Sequence, residues 1–206
     1  MEYALFGLLA YLLGSIPTAV WVGKAKYGVD VREHGSMNAG ATNTFRVLGK
    51  KPGIVVLLID IIKGFVAVSV PLVASWYWVS SANWVNVQIT CSLAVVIGHV
   101  FPMFADFKGG KGVATSLGII IGLHPPAAGI CLAVFLIVFM ASKYVSLGAM
   151  TAACCFPVLL WLIFKVESLE LLIFSCALSA AVIIAHRKNI RRLLLREENK
   201  MNLFKK

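Results

Sequence analysis

The chain has 206 residues, of which 60% are hydrophobic and only 14% are charged. Soluble domains contain roughly a quarter charged residues, so this composition excludes an ordinary water-soluble domain, and the chain is too apolar to stay disordered. The 19 Lys and Arg residues outnumber the 9 Asp and Glu residues, which gives a formal net charge of +10. In so apolar a chain, this excess is typical of cytoplasmic loops beside a membrane. We therefore expect a polytopic membrane protein without a nucleic-acid partner.

Six apolar stretches predict an all-α membrane helix bundle. In chain order they cover residues 3–22, 54–79, 84–104, 113–141, 145–164 and 169–185. Apart from the fourth, each is close to the roughly 20 residues that a helix needs to cross a bilayer. The first stretch begins beside Glu2 and no small-residue cleavage site follows it, so we expect a membrane helix and not a signal peptide. We expect residues 1–206 to form a single integral membrane domain.

The stretch 113–141 decides the number of crossings. As one helix it would measure about 43 Å, which is too long for one upright crossing and short for two. If it crosses twice, all basic residues except Lys63 and Lys165 lie on the cytoplasmic side. If it crosses once, Lys143 and the basic tail move outside, against the positive-inside rule. We therefore predict seven transmembrane helices, with the N-terminus outside, the C-terminus inside and a short fourth helix at about 113–123. Six spans is the alternative.

The first polar segment, residues 30–46, is dense in small polar residues. Its glycines allow tight turns in which consecutive N–H groups converge on an anion. Hydroxyl and amide side chains add donors, and the planar guanidinium of Arg46 fits phosphate oxygens. The candidate anion-binding residues are Ser36, Asn38, Gly40, Thr42, Asn43 and Arg46. Gly and Asn are also ordinary turn formers, so a plain turn is the alternative interpretation.

The second polar segment, residues 99–115, contains the sequence KGGKG at 108–112. It precedes the predicted fourth helix, and helix N-termini favour anions. We therefore interpret Lys108, Gly109, Gly110 and Lys111 as a phosphate cradle. The spacing of a Walker A loop does not occur, so the sequence gives no support for nucleotide hydrolysis.

Two shorter motifs fall on the same predicted face. One contains Lys143 and Ser146, and the other contains His186 and Asn189, whose spacing of three puts them on one side of a helix. The expected cytoplasmic motif segments are about 24–51, 105–112, 142–146 and the tail 186–206.

The charged residues offer no pattern for metal chemistry. Asp30, Glu33 and Asp106 are scattered along the loops, and we predict no metal and no cofactor. We interpret Asp60 and Lys63, three residues apart inside a span, as a structural ion pair.

The sequence also lacks two common catalytic motifs. No nucleophile elbow occurs. The spacing His-x-x-x-x-Asp is absent as well, and with it the usual base of acyl-CoA-using glycerolipid acyltransferases. A polar phosphate from the cytoplasm and a lipid-like chain from the bilayer are the substrates that fit.

Seven motifs follow one another along nearly the whole chain. They are GSIP at 14–17, GSMNAGATN at 35–43 with Arg46, DIIKG at 60–64, GH at 98–99, FKGGKGVAT at 107–115, KYVSL at 143–147 and HRKNI at 186–190. With these motifs the chain resembles the bacterial family of acyl-phosphate-dependent glycerol-3-phosphate acyltransferases. Three positions depart from the family pattern: Met37 and Arg196 stand where Gly is common, and Ala149 stands where a second Ser is common.

The resemblance implies a reaction and roles for the candidate residues. An acyl chain passes from acyl phosphate to the 1-hydroxyl of glycerol 3-phosphate, giving 1-acyl-glycerol 3-phosphate and phosphate, the first acylation of bacterial phospholipid synthesis. The resemblance places Arg46, Lys111, Ser36, Ser146 and Asn189 around glycerol 3-phosphate, and the amides of Gly109 and Gly110 with Asn38, Thr42 and Asn43 around the acyl phosphate. It also implies a seven-helix protein of the bacterial cytoplasmic (inner) membrane with a cytoplasmic active site.

Several alternatives stay open. His186 is the candidate base, and the competing possibility is that the phosphate of the substrate accepts the proton. The donor implies a functional partner, a transacylase that makes acyl phosphate from acyl carrier protein, and we expect a monomer surrounded by membrane lipid. The main rival function is an organic-phosphate transporter, which would use the same loops, although no internal repeat typical of transporters is present. A lipid phosphate phosphatase or flippase is a weaker rival.

Overall fold

The structure is a computed structural model that describes residues 1–77 and 83–201. In these ranges the chain is helical and contains no strand, which confirms the all-α prediction. The helices are α1 (Glu2–Gly14), α2 (Thr18–Tyr27), α3 (Ala41–Leu48), α4 (Lys50–Ala74), α5 (Trp84–Val100), α6 (Val113–Leu123), α7 (Pro125–Ser142), α8 (Val145–Val158), α9 (Leu169–Ala185) and α10 (Arg187–Leu194). Short 3-10 turns lie at Val31–Glu33 and Met103–Ala105. The chain divides into two compact units, Met1–Leu123 and His124–Lys206.

Five helical segments are long and apolar enough to cross a membrane. They are Glu2–Tyr27, which joins α1 and α2, Lys50–Ala74, Trp84–Ala105, Pro125–Ser142 and Val145–Ile163. A sixth results if α9 and α10, which meet at a bend of 59°, count as one span. Helix α6 is apolar but shorter. These segments are those of a multi-pass membrane protein.

The helix boundaries follow the apolar stretches with local differences. The stretch 113–141 divides at His124, whose Nδ1 accepts a hydrogen bond from the N–H of Ala127 at 3.2 Å and so caps α7. The short helix expected at about 113–123 is therefore present as α6. The first helical segment breaks before Thr18 and continues to Tyr27. The second predicted stretch ends at Val79, which lies outside the described residues.

Glycines allow two close helix contacts in the first unit. A Cβ on Gly14 would collide with the backbone oxygen of Val95 where α1 packs on α5, and a Cβ on Gly118 would collide with that of Ile61 where α6 packs on α4. In a membrane, where apolar burial between helices gives little driving force, such small residues permit the close packing that holds helices together.

In the second unit, α8 packs between α7 and α9. Helix α8 ends in a π-helical turn, Leu159–Ile163, just after Pro157, which lacks a backbone N–H. Helix α10 turns away from α9 at His186 and carries the exposed side chains of Arg187 and Arg191. The end of the last long apolar helix is therefore strongly basic.

Candidate functional site

The first polar loop, residues 28–40 between α2 and α3, is held in shape by the buried side chain of Asn43. Its Oδ1 accepts a hydrogen bond from the N–H of Ser36 at 2.8 Å. Its Nδ2 donates to the carbonyl oxygens of Val31 at 2.7 Å and His34 at 3.0 Å. Gly35, with a φ of +62°, packs so close that a Cβ would lie 2.5 Å from Asn43 Oδ1. The amide of Asn43, for which we predicted a substrate contact, is thus engaged in shaping the loop that carries Ser36.

Three further candidates lie on α3 or at its N-cap. Gly40 is the N-cap of the helix, and a Cβ there would lie 2.9 Å from Asn38 Oδ1. Thr42 and Arg46 are both half-buried. Because residues four apart in a helix share one face, Thr42 and Arg46 lie on the same side of α3.

Arg32 connects this loop to the second polar loop, residues 101–112 between α5 and α6. Its Nε and Nη2 donate to both carboxylate oxygens of Asp30, with a shortest distance of 2.8 Å. Its Nη1 donates to the carbonyl oxygen of Ala105 at 2.9 Å. Lys24 adds an ion pair with Asp30 at 3.2 Å. The hydrogen bonds from Arg32 hold the pKa of the Asp30 carboxyl well below its usual range, against the opposing effect of burial.

The second polar loop uses its central amides internally. The N–H groups of Gly109 and Gly110 donate to the carbonyl oxygens of the last two residues of α5, each at 3.1 Å. We predicted that these two amides cradle an acyl phosphate. In the structure both N–H groups donate to backbone carbonyls, and the contact with acyl phosphate stays a prediction. The cationic groups of this loop are the exposed Lys108 and the half-buried Lys111, which stands just before α6.

The space around Gly109 and Gly110 leaves no room for a side chain at either position. A Cβ on Gly109 would collide with the carbonyl oxygen of His99, and a Cβ on Gly110 would collide with the imidazole Nε2 of the same residue. A Cβ on Gly110 would also lie 3.2 Å from the carbonyl oxygen of Ala39, in the first polar loop. The two loops therefore meet above His99.

A buried polar network continues from His99 into the helices. Its Nδ1 lies 3.2 Å from Thr115 Oγ1 and 3.8 Å from Asp60 Oδ1. Asp60 forms a 2.8 Å ion pair with Lys63 and accepts a 3.1 Å hydrogen bond from Thr18 Oγ1. The structural ion pair predicted from the spacing of Asp60 and Lys63 is confirmed, and the network anchors the helices beneath both polar loops.

In the second unit, a carboxylate joins two predicted site residues. Oε1 of Glu198 accepts hydrogen bonds from Ser146 Oγ at 3.0 Å and from Asn189 Nδ2 at 2.7 Å. Arg192 Nε lies 3.8 Å from the other carboxylate oxygen. All three hydrogen-bonded side chains are buried. Ser146 and Asn189, which are far apart in the sequence, are therefore held together by a shared acceptor.

The chain after α10 folds back over the start of α8. The N–H of Met201 donates to the carbonyl oxygen of Lys143 at 2.9 Å, and Lys200 Nζ lies 5.7 Å from the centre of the Tyr144 ring. Arg196 turns the chain with a φ of +58°, in the left-handed region that favours glycine. The tail residues 196–201 thus form part of the structure around Lys143, and the predicted tail residues 202–206 lie outside the described residues.

His186 stands at the bend between α9 and α10 and is 3% exposed. Its Nδ1 lies 2.8 Å from the carbonyl oxygen of Val182. A carbonyl can only accept, so Nδ1 carries a proton, and in the neutral form of the imidazole the lone pair is then on Nε2. This tautomer is the one that a base acting through Nε2 requires.

Three residues of this arrangement were missed by the sequence reasoning as site residues: Arg32, His99 and Glu198. Arg32 was counted only among the basic residues that indicate the membrane orientation. Glu198 lies in a tail dominated by basic residues. The GH motif at 98–99 was the only available signal for His99. Among residues 1–77 and 83–201, no three His, Cys, Asp or Glu side chains are grouped so as to hold a metal ion.

The fold and these motifs define a class, the multi-pass α-helical membrane proteins with glycine-rich, cationic loops. Two crystal structures of PlsY (YgiH), an integral membrane glycerol 3-phosphate acyltransferase, share the fold. The glycerol 3-phosphate form is 36% identical with a TM-score of 0.89 and covers 100% of both chains. The lysophosphatidic acid form is 36% identical with a TM-score of 0.86, over 98% of this chain and 97% of the other.

Sequence comparison identifies the family. The family model for glycerol-3-phosphate acyltransferases matches residues 4–196. A glycerol-3-phosphate acyltransferase of Fusobacterium nucleatum is 45% identical, covering 97% of this chain and 98% of the relative. That of Chlorobaculum tepidum is 40% identical, covering 97% and 96%. The chain belongs to the glycerol-3-phosphate acyltransferase family and is an integral membrane acyltransferase of the PlsY type.

Proposed function

We propose that the protein transfers an acyl chain from acyl phosphate to the 1-hydroxyl of sn-glycerol 3-phosphate, giving 1-acyl-glycerol 3-phosphate and inorganic phosphate. The observation that carries this proposal is the full-length likeness to the PlsY structures, whose two forms are described as holding glycerol 3-phosphate and lysophosphatidic acid. The choice of acyl phosphate as donor rests on the motif resemblance and on the missing His/Asp pair.

The chemistry needs no covalent intermediate on the protein. The 1-hydroxyl oxygen attacks the acyl carbonyl carbon, the bond from that carbon to the phosphate oxygen breaks, and phosphate leaves with the bonding electrons. The hydroxyl proton passes to Nε2 of His186 or to a substrate phosphate. Because the donor is an activated mixed anhydride, the protein has to bring two anions together and stabilise developing charge, which positioned cationic and hydroxyl groups can do.

We assign the candidate residues two kinds of role. The proposed substrate-contacting residues are Ser36, Asn38, Thr42, Arg46, Lys108 and Lys111 in the first unit and Lys143, Ser146, His186 and Asn189 in the second. Gly40, Asn43, Gly109 and Gly110 are proposed to shape the loops that hold these side chains. This division is supported by the internal hydrogen bonds of Asn43 and of the two glycine amides.

The membrane arrangement belongs to the same proposal. We propose that both units act as one enzyme, with seven crossings, the N-terminus outside, and the polar loops and tail on the cytoplasmic face of the bacterial inner membrane. The distribution of basic residues supports this orientation, since only Lys63 and Lys165 depart from it. The protein would act as a monomer and receive acyl phosphate from a transacylase that uses acyl carrier protein.

The test uses purified protein in detergent or lipid cubic phase without added metal. Phosphate release and lysophosphatidate formation are followed with glycerol 3-phosphate as acceptor, and palmitoyl phosphate is compared with palmitoyl-CoA as donor. We expect product from palmitoyl phosphate only. Product from palmitoyl-CoA alone would overturn the donor assignment. No product from either donor, together with uptake of glycerol 3-phosphate into sealed proteoliposomes, would favour the transporter.

A further inference from the structure

We propose that Arg32 is a positioning residue that fixes the first polar loop against the second, and so sets the distance between the groups that hold the two substrates. The inference rests on the proposed function for its catalytic meaning. It adds a role for a guanidinium whose hydrogen bonds go to Asp30 and Ala105.

The geometry of Arg32 is that of a clamp. Two nitrogens of its planar fork hold Asp30, which is 8% exposed, and the third reaches across to the carbonyl oxygen of Ala105. The Arg32 side chain itself is 17% exposed. A lysine could not reproduce this, because a single ammonium group cannot offer two fixed directions at once. All three guanidinium nitrogens therefore donate to protein acceptors.

The contact at Ala105 reaches the cationic part of the second loop directly. The carbonyl oxygen of Ala105 also accepts a 3.0 Å hydrogen bond from the N–H of Lys108. One oxygen therefore joins the Arg32 guanidinium to the backbone of Lys108. In the first polar loop, Arg32 lies in the 3-10 turn Val31–Glu33. The side chain of Asn43 donates to the carbonyl oxygen of Val31 in this turn and accepts a hydrogen bond from the N–H of Ser36.

This arrangement links Ser36 to Lys108 through a short series of hydrogen bonds. If the two loops hold the acceptor and the donor, a shift between them misplaces the reacting atoms without removing any group that binds substrate. Misplacement by about 1 Å can cost roughly a hundredfold in rate. The loss is therefore expected in kcat and not in the affinity for either substrate.

The experiment compares Arg32→Ala, Arg32→Lys and Asp30→Asn with Lys26→Ala, a matched control that removes an exposed charge at the end of α2. Turnover is measured per folded enzyme, as judged by size-exclusion chromatography. We expect Arg32→Ala and Asp30→Asn to lower kcat by about 10- to 100-fold, with the KM for glycerol 3-phosphate changed less than about threefold. Arg32→Lys should not restore kcat, and Lys26→Ala should behave as wild type.

Two results would overturn the proposal that Arg32 fixes the first polar loop against the second. One is wild-type kcat per folded enzyme in Arg32→Ala, and the other is a raised KM at unchanged kcat, which would make Arg32 a substrate ligand. A second readout does not need turnover: trypsin should cleave after Lys108 faster in Arg32→Ala and Asp30→Asn than in wild type and Lys26→Ala. Equal cleavage rates would also contradict the proposal. Wild-type protein that makes no product in either donor assay would refute the proposed function, while the cleavage rates still decide whether Arg32 holds the loops.

Discussion

Ser146 and Asn189 donate their hydrogen bonds to the same atom, Oε1 of Glu198, at 3.0 and 2.7 Å. The three side chains come from the first turn of α8, from α10 and from the tail, and all are buried. A shared acceptor fixes the directions of the Ser146 hydroxyl and the Asn189 amide relative to each other. Glu198 therefore preorganises two residues that we place in contact with substrate, which is the usual task of a supporting residue.

Replacing Glu198 should destabilise the fold as well as lower turnover. Glu198→Ala leaves two buried donors without their charged acceptor, and such hydrogen bonds contribute roughly 1.5–3 kcal/mol. We expect a loss of about 2–3 kcal/mol, measured by thermal unfolding in detergent. Glu197→Ala is the matched control, because Glu197 is exposed and should change stability by less than about 0.5 kcal/mol. An unchanged melting temperature for Glu198→Ala would contradict this role.

Met37 occupies a backbone conformation that suits glycine. Its φ is +56° and its side chain is 71% exposed, so the side chain gives little packing in return. The left-handed conformation costs a non-glycine residue roughly 1–2 kcal/mol, and the extra freedom of unfolded Gly offsets about 0.5–1 kcal/mol of the gain. Met37→Gly should therefore keep activity and stabilise by up to about 1 kcal/mol. Met37→Val should destabilise, and the reverse order of the two melting temperatures would refute the argument.

Gly110 should not tolerate even a methyl group. A Cβ would collide with the ring of His99, which is buried and packed beside Thr115, so the ring has no easy way to move. We expect Gly110→Ala to destabilise by about 1–3 kcal/mol, as overpacking typically does, and to lose most turnover. Gly129→Ala is the control, since nothing lies within 4 Å of a Cβ at this helical position. It should be neutral or stabilising by up to about 1 kcal/mol, and a similar loss in both variants would show that His99 is not the cause.

The Asp30 carboxylate should make the stability of the folded protein depend on pH in the acid range. Its pKa is lowered in the folded protein, first by the hydrogen bonds from Arg32, so its contribution is present above the unfolded pKa of about 3.9 and is lost as the pH falls below it. Asp30→Asn should cost about 1.5–3 kcal/mol at pH 7 and should flatten the fall of the melting temperature below about pH 4. Glu33→Gln, which removes an exposed acid from the same turn, should keep the wild-type acid response. An acid profile for Asp30→Asn that matches wild type would rule out the carboxylate as its source.

Short-range sequence patterns predicted the helix bounds and contacts that depend on residues close together in the chain. The apolar stretch 169–185 matches the bounds of α9, and the spacing of Asp60 and Lys63 predicted their ion pair. Contacts that cross the fold were not visible in this way. Arg32 meets Ala105 from 73 residues away, and Glu198 meets Ser146 from 52 residues away.

The glycines of the second polar loop show a different limit of sequence reasoning. The composition KGGKG suggested amides that are open to an anion. In the structure, the amides of Gly109 and Gly110 pair with backbone carbonyls, and the glycines are required because the imidazole and carbonyl of His99 leave no room for a side chain. A glycine in sequence reports that something comes close to the backbone, and only the fold says whether it is a ligand or a neighbouring residue.

His186 offers the sharpest test of how the proton is removed. Its Nδ1–H donates to the carbonyl oxygen of Val182 at 2.8 Å, so in the neutral form of the ring the lone pair is on Nε2. Asparagine can imitate the Nδ1 donor but cannot act as a base, so His186→Asn keeps the helix-end contact while His186→Ala removes both functions. If His186 is the base, both variants should lose turnover by about 10²–10⁴-fold, measured per folded enzyme with saturating substrates. More than about a tenth of wild-type turnover in His186→Asn, with His186→Ala lower, would assign His186 to positioning and leave the phosphate of the substrate to take the proton.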